Sequence, residues 1–286
     1  MKKSLVAVVA ILLMISCQED LVPKKLSSKD QAELAAHDNA EMMIAIQQAL
    51  DVTAGAMENK GVAEGRVKQG GSHDKYGCAP SVNLTLNIDR NHPDSIIYSG
   101  NIIINYGDGS SCPSTDKRTG KITDEFKISI SLKNKIGFIS KEKITFENFI
   151  KGNTSHDGVI TVTSANGKKT TVAGTGMSIG YDDGTTAKWN GNLVFSYEDV
   201  LKKKGELRIS GSISGTSRQG NPFTATVSQD LLFKTGCLGL TRQIPVSGKV
   251  SITTYGSSSV VDYGDGTCDK TYTVTVDDEA ETYTFS

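Results

Sequence analysis

Four cysteines carry the strongest chemical spacing in this chain. Gly77-Cys78 is followed 34 residues on by Cys112, at the end of Asn105-Tyr106-Gly107-Asp108-Gly109-Ser110-Ser111-Cys112. Gly236-Cys237 is followed 31 residues on by Cys268, at the end of Asp262-Tyr263-Gly264-Asp265-Gly266-Thr267-Cys268. One Gly-Cys … Tyr-Gly-Asp-Gly … Cys module therefore occurs twice, about 157 residues apart. Three pairings of four thiols are open, and equivalent modules favour equivalent bridges, Cys78–Cys112 and Cys237–Cys268. Zinc would ask for close Cys-x-x-Cys pairs, which the sequence lacks, so no metal is expected. Tyr-Gly-Asp-Gly does not alternate acids as a calcium loop does. It reads as a glycine-bearing turn or bulge in which Asp accepts local backbone N–H groups.

The other reactive side chains form weaker patterns. His37 falls on a helical stretch, while His73, His92 and His156 read as exposed turn residues. No Gly-x-Ser-x-Gly elbow accompanies them, so no catalytic residue is assigned. Asp124, Glu125 and Glu206 are strand-borne acids, and two of them facing each other across a cleft would suit glycoside hydrolysis. On an antiparallel sheet such acids more simply line the wet face. Trp189 with Tyr181 and Tyr197 is the candidate ligand platform, with a partly buried Trp189 as the plainer alternative. Lys202-Lys203-Lys204 reads as a hairpin tip.

The N-terminus supplies an address. Lys2 and Lys3 precede an apolar run from Leu5 to Ile15, the length of a signal-peptide core and too short to span a bilayer. Met14-Ile15-Ser16-Cys17 then resembles the lipobox of bacterial lipoproteins, although Met14 and Ile15 replace the usual residues. The resemblance implies a diacylglycerol on the Cys17 thiol, cleavage before it and acylation of the new amine. Such multiple chains anchor firmly where one does not. Gln18 after the cysteine implies the outer membrane, and Glu19-Asp20 resembles the acidic tract of surface-exposed Bacteroidetes lipoproteins.

The elements that must position these groups follow from periodicity. Net charge is −1 and becomes −3 once Lys2 and Lys3 leave with residues 1–16, so no nucleic-acid footprint is expected. Residues 17–28 read as a lipidated tether. Residues 29–74 read as a helix, whose stripe of Leu34, Met42, Met43, Ile46, Leu50 and Met57 is a packing face, followed by a glycine-rich joint. From 75 to 286 the period is two, as in Val82, Leu84, Leu86, Ile88 and Phe126, Ile128, Ile130, Leu132. Turns are predicted at Asp157-Gly158, Asn166-Gly167, Asp183-Gly184 and Gln219-Gly220-Asn221. No second long helix intervenes, which excludes a βαβ sheet. The expected class is all-β, an antiparallel β-sandwich-like domain, or two related halves, with one N-terminal helix.

Lipobox, Gly-Cys, Tyr-Gly-Asp-Gly-x-x-Cys and the segment Asp116-Lys117-Arg118-Thr119-Gly120-Lys121 together resemble a group of Bacteroidetes outer-membrane lipoproteins. The resemblance covers about residues 75–165 and implies a β-rich fold and an envelope location, with no activity, cofactor or site residue. The expected function is a lipid-anchored, non-enzymatic binding or adhesion module at the outer membrane, on the surface or the periplasmic side. Its partners would be the membrane, through the anchor, and a glycan or protein ligand. A polysaccharide-acting hydrolase and a purely structural envelope protein are the alternatives.

Overall fold

The computed structural model describes residues 27–59, 77–133, 137–197, 206–234, 245–254, 257–269 and 271–284. The leader, Cys17, the tether as far as Leu26, the joint, His73, Cys237 and Lys202–Lys204 lie outside the described residues. Among the described residues, helix α1 (Ser28–Asn59) is followed by thirteen strands. In order these are β1 (Ser81–Asp89), β2 (Ser95–Gly107), β3 (Arg118–Ser131), β4 (Gly137–Lys151), β5 (Thr154–Ser164), β6 (Lys169–Gly180) and β7 (Thr186–Tyr197). The rest are β8 (Glu206–Thr216), β9 (Pro222–Lys234), β10 (Ser247–Thr254), β11 (Ser257–Asp265), β12 (Thr271–Val276) and β13 (Glu279–Thr284).

Each strand pairs antiparallel with the next, and the strand order in the sheet is the order in the chain. Among the described residues, thirteen strands make one continuous sheet with β1 and β13 at its edges. The antiparallel β class with one N-terminal helix is thus as the sequence indicates, and the two-halves option gives way to a single meander. Strand alternation builds it. In β3, Ile122, Phe126 and Ile128 point to the buried face while Lys121, Glu125 and Lys127 point to solvent. Cross-strand pairs such as Lys121–Glu147 at 2.7 Å and Lys249–Asp262 at 2.8 Å dress the outer face. Among the described residues, the large apolar side chains that are exposed are Ile88, Leu132 and Ile150.

The helix is what the apolar face closes upon. Ser27 caps it: its hydroxyl accepts the Asp30 N–H at 3.1 Å, and the Asp30 carboxylate accepts the Ser27 N–H at 3.1 Å. At 100° per residue, the buried set Gln31, Ala32, Ala35, Ala36, Asp38, Ala40, Met43, Ala49 and Val52 covers roughly two thirds of the helix circumference. A helix lying on a flat sheet buries a much narrower stripe. The sheet therefore curls around α1, and helix side chains meet β4 (Thr53 to Glu142), β12 (His37 to Tyr272) and β13 (Glu33 to Tyr283). The segment that reads in sequence as a separate unit ahead of the β-domain is the centre of that domain's core.

The two Tyr-Gly-Asp-Gly motifs are the turns that their composition suggests, and the first Cys module closes the expected bridge. In the first, Asn105 Oδ1 accepts the Gly107 N–H at 2.9 Å and Asp108 Oδ1 accepts the Ser110 N–H at 3.0 Å. In the second, Asp262 Oδ1 accepts the Gly264 N–H at 2.9 Å and Asp265 Oδ1 accepts the Thr267 N–H at 3.0 Å. Each motif ends the second strand of a hairpin on a buried tyrosine, Tyr106 or Tyr263. Cys78 and Cys112 form a disulfide that ties the start of β1 to the β2–β3 connection. Cys268 is also disulfide-bonded.

One predicted turn is corrected. Asp157-Gly158 lies inside β5, where the register shifts against both neighbours. Gly158 has φ 115°, and a Cβ there would sit 2.7 Å from the Gly176 carbonyl oxygen. The glycine marks a bulge in mid-strand, and the reversal occurs earlier, at Gly152-Asn153.

Candidate functional site

Polar side chains reach into the apolar interior at a few points, and most of these hold the helix. Asp38, fully buried on α1, accepts two hydrogen bonds from Arg218 of the β8–β9 turn, from Nε at 2.7 Å and from the backbone N–H at 2.8 Å. The Arg218 guanidinium lies 3.8 Å from the centre of the Tyr181 ring, whose hydroxyl donates to Asp38 at 3.4 Å. Burial and the Asp38 carboxylate push the Tyr181 phenol well above its usual range. A cation, an anion and an aromatic from three elements thus close on one point of the helix.

A second contact is made by carboxyls. Asp124 of β3 and Glu142 of β4 share the inner face, one register step apart on the diagonal, since Asp124 pairs with Ile144 and Phe126 with Glu142. Both are buried, and Thr53 of the helix donates its hydroxyl to Glu142 at 3.0 Å. Neither Asp124 oxygen has a donor while both groups are ionised. A proton on one carboxyl supplies the missing bond between them. Burial, then the neighbouring Glu142, push Asp124 up to about 9, and burial raises Glu142 as well, so the pair retains a proton at neutral pH.

At the other end of the helix wall, His37 Nδ1 lies 2.7 Å from the Tyr272 hydroxyl, and its ring packs edge-on against Tyr283. His156 of β5 is also largely enclosed, with Nε2 3.2 Å from Thr154 Oγ1. Burial, then the nearby Lys151 and Arg118 charges, push it down to about 4. Of the histidines read as surface residues, only His92 is exposed among those described. The turn pattern around His156 hid a strand whose inner face is apolar.

The sequence candidates scatter. Asp124 faces inward, whereas Glu125 points outward to Lys143 at 3.4 Å and Glu206 pairs with Arg208 at 3.1 Å on β8. These three acids do not converge. Trp189 is 1% exposed, its six-membered ring over Gly174, where a Cβ would come within 2.2 Å of Cζ3. With Trp189 in the core and Tyr181 under Arg218, the predicted stacking platform is not assembled. The Tyr197 side chain lies outside the described residues.

A different surface emerges on the outer face of β7–β11. One row across the strands is Asn190, Ser214, Thr224, Thr253 and Ser258, and a second is Asn192, Ser212, Thr226 and Ser251, ending on Val260 of β11. Five strands at about 4.8 Å give a band about 20 Å wide with no charged side chain inside it. Lys188 and Lys249 stand at its border. Among the described residues, the hydroxyls of Ser212, Ser214, Thr224, Thr226, Thr253 and Ser258 have no hydrogen-bond partner within the protein. The signal in the sequence is the alternating Ser, Thr and Asn in the middle of these strands, but only register shows that the positions adjoin.

No protein-family model, no curated protein and no solved structure matches this chain.

Proposed function

We propose that this protein is a lipid-anchored, non-enzymatic module of the outer membrane that binds a neutral glycan through the outer face of β7–β11. The observation that carries the reading is the two-row band of uncharged hydroxyl and amide side chains, whose hydroxyls are free to donate and accept. A neutral polysaccharide offers repeated hydroxyls and no charge, which matches that surface in chemistry. Fixed charges would instead favour ionic partners. The concave side supports the same view from the other direction, because α1 fills it and its inward polar groups hold the helix. Anchoring rests on the Met14-Ile15-Ser16-Cys17 sequence.

Retention of the mature protein on immobilised neutral polysaccharides (a mannan, a xylan, a β-glucan) tests the reading. Ser212→Glu with Thr253→Glu places charges on exposed positions, where the folding cost is small. Wild-type retention that falls at least tenfold in the double variant is expected. Retention on none of the three, or equal retention of the variant, removes the glycan reading. Separately, Cys17→Ser should move the protein from the membrane fraction to the soluble one, and a variant still in the membrane removes the anchor.

A further inference from the structure

The carboxyl pair Asp124–Glu142 is closed off by α1. Asp124 is fully buried and Glu142 nearly so, and Thr53 reaches Glu142 from the helix at 3.0 Å. Strand β3 is paired to β2 and β4, and β4 to β3 and β5, so neither can turn its carboxyl to water without losing ladder bonds. The helix is different, because its backbone hydrogen bonds are internal and none has to break when it lifts off the sheet. Its grip around Thr53 is also light. Ala49, Val52 and Ala56 are small inward residues. A void of about 20 Å³, measured to the centre of a water-sized sphere, remains between Ala45, Ala49 and Val52 and a wall that includes Ile122, Phe146 and Phe149. Gly55 weakens the helix itself. Once the segment lifts, the Thr53 hydroxyl has acceptors in its own helix, the Ala49 and Leu50 carbonyls at 3.2 and 3.1 Å.

We propose that segment 49–57 of α1 is a latch held by a proton: it lifts from β3 and β4 as the Asp124–Glu142 pair gives its shared proton to water. In the closed form one proton satisfies the pair, since Asp124 donates it to Glu142, which also accepts from Thr53. Without that proton Asp124 keeps two buried oxygens and no donor, beside a second negative charge. The charges that act on the pair are the two carboxyls themselves and Glu125, which points outward on β3. Among the described residues, Thr53 is the polar group that α1 sets against the pair, and β2 offers Ile102 opposite Asp124.

The sign of the pH dependence follows from the two forms. With the segment lifted, water reaches both carboxyls, which return to their ordinary 3.8 and 4.5 and are ionised at neutral pH. With the segment closed, burial and Glu142 hold Asp124 up at about 9. Between those limits the closed form carries one proton more than the open form. The open fraction therefore rises about tenfold per pH unit and levels off above about 9.

Amide hydrogen exchange on the mature protein between about pH 6 and 8, corrected for the pH dependence of an unfolded chain, tests this. Amides of segment 49–57 should be less protected than those of β3 and β4, so that the helix opens while the strands stay paired. Their protection should fall about tenfold per pH unit. Asp124→Asn, which has no proton to lose, should flatten that dependence. Thr53→Val should lower the protection of the segment about tenfold at every pH and leave the slope in place. Helix amides as well protected as β3 and β4, or protection that does not change with pH, overturns the proposal. So does an unaltered slope in Asp124→Asn or unaltered protection in Thr53→Val.

Discussion

Asp124→Asn should stabilise this protein, by an amount that depends on pH. In the folded chain the Asp124 carboxyl is pushed up to about 9 from an ordinary 3.8. Below pH 4 both folded and unfolded chains hold the proton, and its stability contribution is fully present. From there upward the unfolded chain releases a proton that the folded chain keeps, so stability falls by about 1.4 kcal/mol per pH unit until the folded carboxyl itself titrates. By pH 7 the accumulated loss is about 4 kcal/mol on this reasoning. Asparagine does not titrate, and its amide can donate to Glu142 as the protonated acid does. Because Glu142 then carries more of the pair's charge, a gain of about 2–4 kcal/mol at pH 7 and under about 1 kcal/mol at pH 4 is expected. Urea unfolding followed by the fluorescence of Trp189, the only tryptophan, reads the difference between wild type and variant at each pH. A variant less stable than wild type at pH 7, or a difference that stays flat from pH 4 to 8, would refute the shared-proton account.

Other positions answer to simpler tests. Asp38→Ala leaves Arg218 partly buried without its carboxylate, so a loss of about 3–5 kcal/mol in urea unfolding is expected, with faster amide exchange along the N-terminal half of α1. Cys78→Ala with Cys112→Ala opens a loop of 34-residue separation and should cost about 4 kcal/mol on the chain-entropy account, measured under the same non-reducing conditions. Gly174→Ala drives a methyl into the Trp189 ring and should cost about 1–3 kcal/mol and shift the Trp189 emission. An unchanged midpoint and spectrum would show that the ring has room.

How far the site could be read beforehand varies with the kind of information each part needs. The Asp residues of the Tyr-Gly-Asp-Gly motifs make contacts to residues two positions away, so their role is local and legible. The pairing of Asp124 with Glu142 is not, because it depends on the β3–β4 register, and Glu142 in isolation is one acid among many. His156 is not legible as an inward residue because Asp157-Gly158 has the composition of a turn, while a bulge needs the same left-handed glycine. Trp189 was ambiguous for a related reason. Alternation says that its face is shared with Leu193 and Phe195, but not whether that face meets water or another layer.

The residue order alone determined the antiparallel strands, the helix ahead of them and the doubled cysteine module. These follow from side-chain period, turn chemistry and short-range spacing, which act within a few residues of the chain. Only the tertiary structure decided that the thirteen strands of the described residues are one sheet, that α1 lies within its curl, and that an uncharged outer band exists. Periodicity marks which face of a strand is apolar and leaves open what covers it. That choice belongs to contacts between residues far apart in sequence, such as Asp38 with Arg218 and Thr53 with Glu142, which form only when the sheet closes on the helix.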